Sequence, residues 1–266
     1  MTRRRLDAEL VRRGLVATRT EAQEAVRSGL VLVGGSPVSK PSSLVGPEDA
    51  VHLQTPARRF VSRGGEKLAA ALDRFGIRVE GRSCLDAGAS TGGFTECLLQ
   101  RGAARVAAVD VGYGQLAWRL RNDPRVIVLE RTNVRSLSPG DIPFAPGLVT
   151  ADLSFISLRL VVGALAGLAA PGADFVLLVK PQFEAGAEFV GKGGVVRDAG
   201  VWREAIALVA EAGRPIGLAP RGAMASPLLG PAGNVEFPLY LVLGGEETPI
   251  DLDGAIAEGL AVKGEP

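Results

Sequence analysis

Two cysteines, Cys84 and Cys97, and one histidine, His52, are the only thiol and imidazole side chains in this chain of 266 residues. They form no CxxC pair and no Cys/His cluster, so a structural zinc site is excluded and no metal is expected. Both cysteines fall in expected core segments, as the small reduced hydrophobes of a cytoplasmic protein do. The lone His52 rules against histidine-based acid–base work, and serine or cysteine nucleophile schemes lack partners. Aromatics are scarce at 5%, whereas glycine is abundant at 35 residues. Tight turns and close backbone approaches fit that balance better than a β-sandwich. No leader pattern opens the chain, because Arg3, Arg4 and Arg5 run directly into Leu6-Asp7-Ala8-Glu9; no signal peptide is expected. Residues 160–179 are apolar apart from Asp174, which is long enough to span a bilayer. Pro171-Gly172 breaks the run, so helix, turn and buried strand is the expectation, with no membrane partner.

What is present supports a globular protein. Hydrophobic residues make up 47% and charged residues 22%, enough apolar material for a filled core. The length fits one large domain plus a small one. Net charge is only +1, but residues 1–60 hold ten Lys/Arg against six Asp/Glu, and the remainder twenty against twenty-three. A basic head on a mildly acidic body is read either as a polyanion-binding surface or as a solvated helix face.

The head reads as a compact αα-then-β module. Leu6, Leu10 and Val11 have helical spacing, and Gly14 ends that helix. Thr20-Glu21-Ala22-Gln23 has capping-box spacing and opens a second helix that stops at Gly29. Strands are expected at 30–33 and 50–53, around the turn Gly34-Gly35-Ser36-Pro37. Arg12, Arg13, Arg19, Arg27 and Lys40 surround the module.

Beyond residue 63 the pattern alternates. Strand-like runs occupy 84–87, 105–110, 126–129, 148–152, 175–180 and 238–243, with helical candidates at 93–101, 115–121, 158–170 and 201–212. A weak apolar face at Leu252, Ile256 and Leu260 marks a terminal helix. This predicts an α/β fold, a doubly wound Rossmann-like sheet behind a small N-terminal α+β domain. The domain reading is 1–57, a connector at 58–63, and 64–266.

The strongest local signal is an apolar strand ending in Asp86, followed by a Gly-rich turn and a helix. In an open α/β sheet, ligands bind beyond the carboxyl ends of the strands. Gly88, Gly92 and Gly93 let backbone approach a ligand. The spacing is neither GxGxxG nor a P-loop. A carboxylate at the strand end suits the cationic amino-acid end of S-adenosylmethionine better than a pyrophosphate. Asp110 ends the next strand, where an acid accepts hydrogen bonds from adenosine ribose hydroxyls. Asp152 and Lys180 end further strands, Lys67 precedes the sheet, and Glu236 opens the last strand. A doubly wound sheet places Asp86, Asp152 and Lys180 on one edge.

These phrases carry a resemblance. Residues 3–56 are similar to the small RNA-binding module that pseudouridine synthases share with tyrosyl-tRNA synthetase, the S-four domain. Arg5-Leu6-Asp7, Thr20-Glu21-Ala22 and Val31-x-Val33-x-Gly35 carry that match. It implies that Arg4, Arg5, Arg12, Arg13, Arg19 and Lys40 face RNA phosphates. Lys67, Asp152, Lys180 and Glu236 resemble the Lys-Asp-Lys-Glu tetrad of FtsJ-like ribose 2′-O-methyltransferases. SRGGEKL, LDAGASTGGFTE, DVGYGQLAW, ERTNVR, ADLSFISL, VKPQFE and GNVEF resemble the TlyA family in particular. The connector Arg58-Arg59-Phe60-Val61 is similar to that family's Arg-x-Trp-Val motif, with Phe60 in place of Trp.

The resemblance implies an enzyme that moves a methyl group from S-adenosylmethionine to a cytidine 2′-hydroxyl of 16S and/or 23S ribosomal RNA. Its partner is RNA in ribosomal subunits and not DNA. It adds Ser90, Phe94, Asn133 and Asp152 to the cofactor residues. Lys67, Asp152, Lys180 and Glu236 become the catalytic set. Lys180 is read as the group at the hydroxyl, either as an ammonium that stabilises an alkoxide or as a neutral base. Asp152 orients it, and Glu236 pairs with Lys67 or holds the ribose. The competing classes are a membrane-active haemolysin and a non-catalytic RNA-binding scaffold. The first needs an unbroken apolar span; the second needs damage at the turn or tetrad.

Overall fold

The apolar runs and turn signals assemble into two separate bodies in the computed structural model, which describes residues 3–16, 18–54 and 59–264. One unit is Met1–Arg58 and the other Arg59–Pro266.

In the first unit, α1 (Leu6–Arg12) and α2 (Arg19–Arg27) pack against short strands. β1 (Arg4–Arg5) pairs with β4 (Leu44–Val45), and β2 (Val31–Val33) lies between β3 (Ser36–Pro37) and β5 (Val51–Leu53). Leu6, Leu10, Ala22, Val26 and Val31 fill its core. The capping box begins two residues earlier than the sequence spacing indicates. Thr18 Oγ1 accepts from Glu21 N at 3.2 Å, and the Glu21 side chain accepts from Thr18 N. Thr20 lies inside the helix, where its hydroxyl has no cap to make.

The second unit is built on a seven-stranded sheet. Its strands are β6 (Ser83–Ala87), β7 (Arg105–Val109), β8 (Val126–Leu129), β9 (Leu148–Ala151), β10 (Asp174–Val179), β11 (Leu218–Ala223) and β12 (Phe237–Leu243), in the order β11-β12-β10-β9-β6-β7-β8. Strands β10, β9, β6, β7 and β8 are mutually parallel, and β12 runs antiparallel between β10 and β11. Both faces are covered. The larger cluster contains Leu85, Val149, Phe175, Trp202 and Phe237, and the other Leu68, Leu72, Val106 and Leu98. The covering helices are α3 (Gly64–Phe75), α4 (Gly93–Gln100), α6 (Val162–Leu168), α8 (Ala199–Gly213) and α9 (Leu252–Lys263), with the short α5 (Trp118–Arg121) and α7 (Pro181–Glu184).

Three elements depart from the sequence reading. Helix α3 is absent from it because Gly64-Gly65 is a poor helix opening. In the fold, Gly65 is the residue that admits Phe60: a Cβ there would lie 2.2 Å from the Phe60 ring. Strand β11 is masked by Pro220 and Gly222, between which its register slips against β12; a bulged edge strand tolerates both. The helix expected at 115–121 keeps only its last turn, because Gly114 (φ 71°) holds the preceding loop.

The apolar run 160–179 divides into the end of a 3₁₀ turn, α6, a turn at Gly172 and β10. Among the described residues no helix is long and apolar enough to cross a membrane.

Candidate active site

The carboxyl edge of the parallel strands carries two adjoining cavities. The first, of about 440 Å³, is lined by Asp110, Val111, Gln115, Asn133, Phe155 and others. The second, of about 280 Å³, is lined by Ser62, Arg63, Lys67, Lys180, Glu236 and others. Gly88, Ser90, Asp152 and Ser154 line both.

The turn after β6 forms the wall of the first cavity. Gly88 has φ 86°, and a Cβ there would lie 2.5 Å from the Asp152 carbonyl oxygen. Only glycine lets the turn sit so close to the β9 terminus. Asp110 closes the far side, its Oδ2 accepting from Ser90 N and its Oδ1 from Gly112 N, both at 2.7 Å. Each oxygen retains a lone pair for a further donor. Asn133 lines the same cavity while its Oδ1 caps the turn Val134–Ser136.

Four sequence-based assignments shift. Gly92 lines neither cavity; a Cβ there would lie 2.3 Å from Leu120, so this glycine serves packing. Gly93 borders the second cavity, but the space it leaves is filled by Ser62 Oγ. Asp86 lies beneath the turn and not in the cavity wall. It is fully buried, its Oδ2 accepts from Thr95 Oγ1 at 2.6 Å, and its Oδ1 has no partner. Burial pushes its carboxyl up to about 7, with Asp152 and Asp110 adding repulsion. Phe94 is a core residue whose edge reaches the second cavity.

The four tetrad positions meet as two ion pairs. Lys67, in the first turn of α3, places Nζ 2.5 Å from Glu236 Oε2, with both side chains buried. Lys180, directly after β10, places Nζ 2.7 Å from Asp152 Oδ1 and donates to Ser154 Oγ at 3.0 Å. Glu236 reaches this edge because β12 runs antiparallel to β10 and therefore begins where β10 ends.

Two cleft residues, and Glu184 outside the cleft, were not singled out in the sequence. Ser154 and Phe155 lie within the quoted phrase ADLSFISL, yet neither carries a charge to draw notice. Phe155 is 91% exposed at φ 64° and packs 5.3 Å from the Phe183 ring. Glu184 is buried, accepting from Ser157 Oγ at 2.5 Å and from Leu158 N at 2.7 Å; burial raises its carboxyl above the usual range. The connector also behaves differently from a free linker. Phe60 is buried in the second unit's core, Arg59 stacks over its ring, and Val61 N donates to Glu96. Arg58 lies outside the described residues.

In the first unit, two buried acids gather the expected RNA-facing arginines. Asp7 accepts from Arg5, Arg19 and Gln23, and Arg5 foremost holds its carboxyl far below the ordinary range. Glu9 accepts from Arg12 and Arg13, which hold it down at about 2. Arg13 also donates to the carbonyls of Asp49, Gly46 and Pro47, so its guanidinium is bound inward. Arg4, Arg12, Arg19 and Lys40 are exposed.

Comparison with known proteins accounts for both units. The FtsJ-like methyltransferase model matches residues 60–242, and the S4 domain model matches residues 4–51. The chain is 55% identical to the 16S/23S rRNA (cytidine-2'-O)-methyltransferase TlyA of Mycobacterium tuberculosis, over 90% of each chain. This chain belongs to the TlyA family of FtsJ-like methyltransferases. Its TlyA kinship extends to YqxC of Bacillus subtilis, a candidate rRNA methyltransferase, at 45% identity over 91% of this chain and 86% of that one. A solved candidate hemolysin from Streptococcus thermophilus has the same fold, with TM-score 0.74, 37% identity, and 98% and 97% of the two chains covered. The TlyA phrases thus fall on the walls of the two cavities.

Proposed function

We propose that this chain transfers the methyl group of S-adenosylmethionine to the ribose 2′-hydroxyl of a cytidine in 16S and/or 23S ribosomal RNA, in the cytoplasm. The observation that carries the reading is the seam between the cavities. Lys180, Asp152 and Ser154 stand where a donor in the first cavity and an acceptor in the second come together. The relatives named as rRNA methyltransferases support the substrate.

The first cavity fits the cofactor. Gly88, Ser90 and Asp152 border it, with buried Asp86 holding the turn from beneath through Thr95. Asp110 offers a lone pair on each oxygen to a pair of ribose hydroxyls, and Gly88 leaves room beside Asp152. When bound, S-adenosylmethionine supplies a methyl already activated on a sulfonium. The remaining task is alignment and proton removal at a weakly acidic hydroxyl. Alignment alone contributes about 7–11 kcal/mol in favourable cases. Lys180 acts at the hydroxyl, held by Asp152; Lys67 and Glu236 form a rigid buried wall for the ribose. Exposed Arg4, Lys40, Arg12 and Arg19 contact RNA phosphates.

The test is transfer of label from S-adenosylmethionine to purified ribosomal subunits, followed by mapping of modified riboses. Lys180→Ala abolishes transfer while cofactor binding survives. Normal methylation by that variant overturns the assignment. Protein-dependent lysis of cells, equal in wild type and Lys180→Ala and without methyl transfer, supports the haemolysin reading instead.

A further inference from the structure

Among the described residues, Ser154 is the one uncharged side chain that both lines the two cavities and bonds to Lys180. Its role follows from the number of valences on an amine. A neutral lysine amine has two N–H groups and one lone pair; an ammonium has three N–H groups. Asp152 Oδ1 and Ser154 Oγ occupy two positions on Lys180 Nζ. In either protonation state one valence is left, and the two bonds fix its direction. With Asp152 as the sole partner, the two remaining positions are equivalent, and on a neutral amine the lone pair can occupy either.

We infer that Ser154 is a positioning residue for methyl transfer, holding an N–H in one of the two positions that Asp152 leaves on Lys180 Nζ so that the other, lone pair or N–H, faces the acceptor hydroxyl. The inference rests on Lys180 acting at that hydroxyl.

The loop bearing Ser154 is tied at both ends to one segment. Asp152 and Ser154 bond Lys180, while Ser157 and Leu158 bond Glu184, four residues further along. Between the ties the chain passes through Phe155 at φ 64°, a left-handed conformation unusual for a bulky residue. A non-glycine residue is held there only when its surroundings fix it. Ser154 is therefore carried on a constrained stretch of backbone. The arrangement supplies orientation without adding charge, which leaves Lys180 free to work in either protonation state.

The experiment compares Ser154→Ala, Ser154→Thr, Ser154→Cys and Lys180→Ala in the full-length chain, with ribosomal subunits as acceptor. Misplacement of a reacting group costs up to about 100-fold in rate. Ser154→Ala is expected to lower kcat by about 10- to 100-fold, with S-adenosylmethionine affinity, KM for subunits and thermal midpoint close to wild type. Ser154→Thr keeps the hydroxyl and restores most of the rate. Ser154→Cys keeps the approximate volume but accepts weakly, and resembles the alanine variant.

Three results overturn the inference: an unchanged kcat in Ser154→Ala, equal impairment in the alanine and threonine variants, or a loss confined to KM or cofactor affinity. An active Lys180→Ala overturns the reading beneath it, which separates the two failures.

Discussion

Lys67 and Glu236 stand 169 positions apart in sequence, yet their charged atoms meet at 2.5 Å with both side chains almost wholly buried. One comes from the first turn of α3 and the other from the start of β12, so this pair fastens the first helix of the unit to its last strand. Gly230 makes the fit possible, since a Cβ there would lie 2.4 Å from Glu236 Oε1.

Removing one partner strands the other charge. Glu236→Ala is expected to lower stability by about 3–5 kcal/mol. The double variant Lys67→Met, Glu236→Leu recovers most of that loss but not methyl transfer. Urea unfolding of both variants, alongside the transfer assay, checks the expectation.

The cofactor turn makes a second prediction through Asp86. Its carboxyl rises from 3.8 to about 7 in the fold, chiefly through burial. A raised carboxyl favours the folded state most while it is protonated. This contribution is present below pH 3.8 and is lost as pH rises through about 7. Asp86→Asn removes that dependence. The thermal midpoint of wild type, without cofactor, falls across this window relative to that of Asp86→Asn. Parallel profiles refute the assignment.

Two glycines with similar dihedral angles separate strain from steric exclusion. Gly14 (φ 68°) has open space around a notional Cβ, whereas Gly88 (φ 86°) has the Asp152 carbonyl at 2.5 Å. Gly14→Ala costs about 1–2 kcal/mol and leaves catalysis intact. Gly88→Ala displaces the Asp152 backbone and abolishes both cofactor binding and transfer. Equilibrium dialysis with labelled cofactor distinguishes them.

The arginines of the first unit divide in the same manner. Arg13→Ala removes bonds to Glu9 and three carbonyls, so it lowers stability before it touches RNA affinity. Arg4→Ala leaves stability unchanged, weakens RNA binding, and reduces the salt slope by about 1. Filter binding across a salt series, with a parallel unfolding curve, checks both.

The sheet was legible because its strands are short apolar runs that end in charged residues; Leu85-Asp86 and Val109-Asp110 announce both a strand and its edge. The strand β11 was not, because Pro220 and Gly222 carry loop chemistry into a bulged edge. Helix α3 hid behind Gly64-Gly65, whose reason lies in Phe60, a packing partner that no local pattern shows. The site divides likewise. Lys67, Asp152, Lys180 and Glu236 are charged residues at strand or helix ends, so they stand out. Ser154 does not, since a serine after a strand is ordinary until Lys180 Nζ is found 3.0 Å away. Arg13 reads as a surface cation until the carbonyls around it are known.

The antiparallel setting of β12 also orders the site in time. Every residue lining the first cavity lies at or before Val161, whereas the second is incomplete without Glu236. During synthesis at about 5–20 residues per second, the walls of the donor cavity leave the ribosome several seconds before the last acceptor residue does. A nascent chain thus carries every residue that lines the first cavity before it has the residue that completes the second.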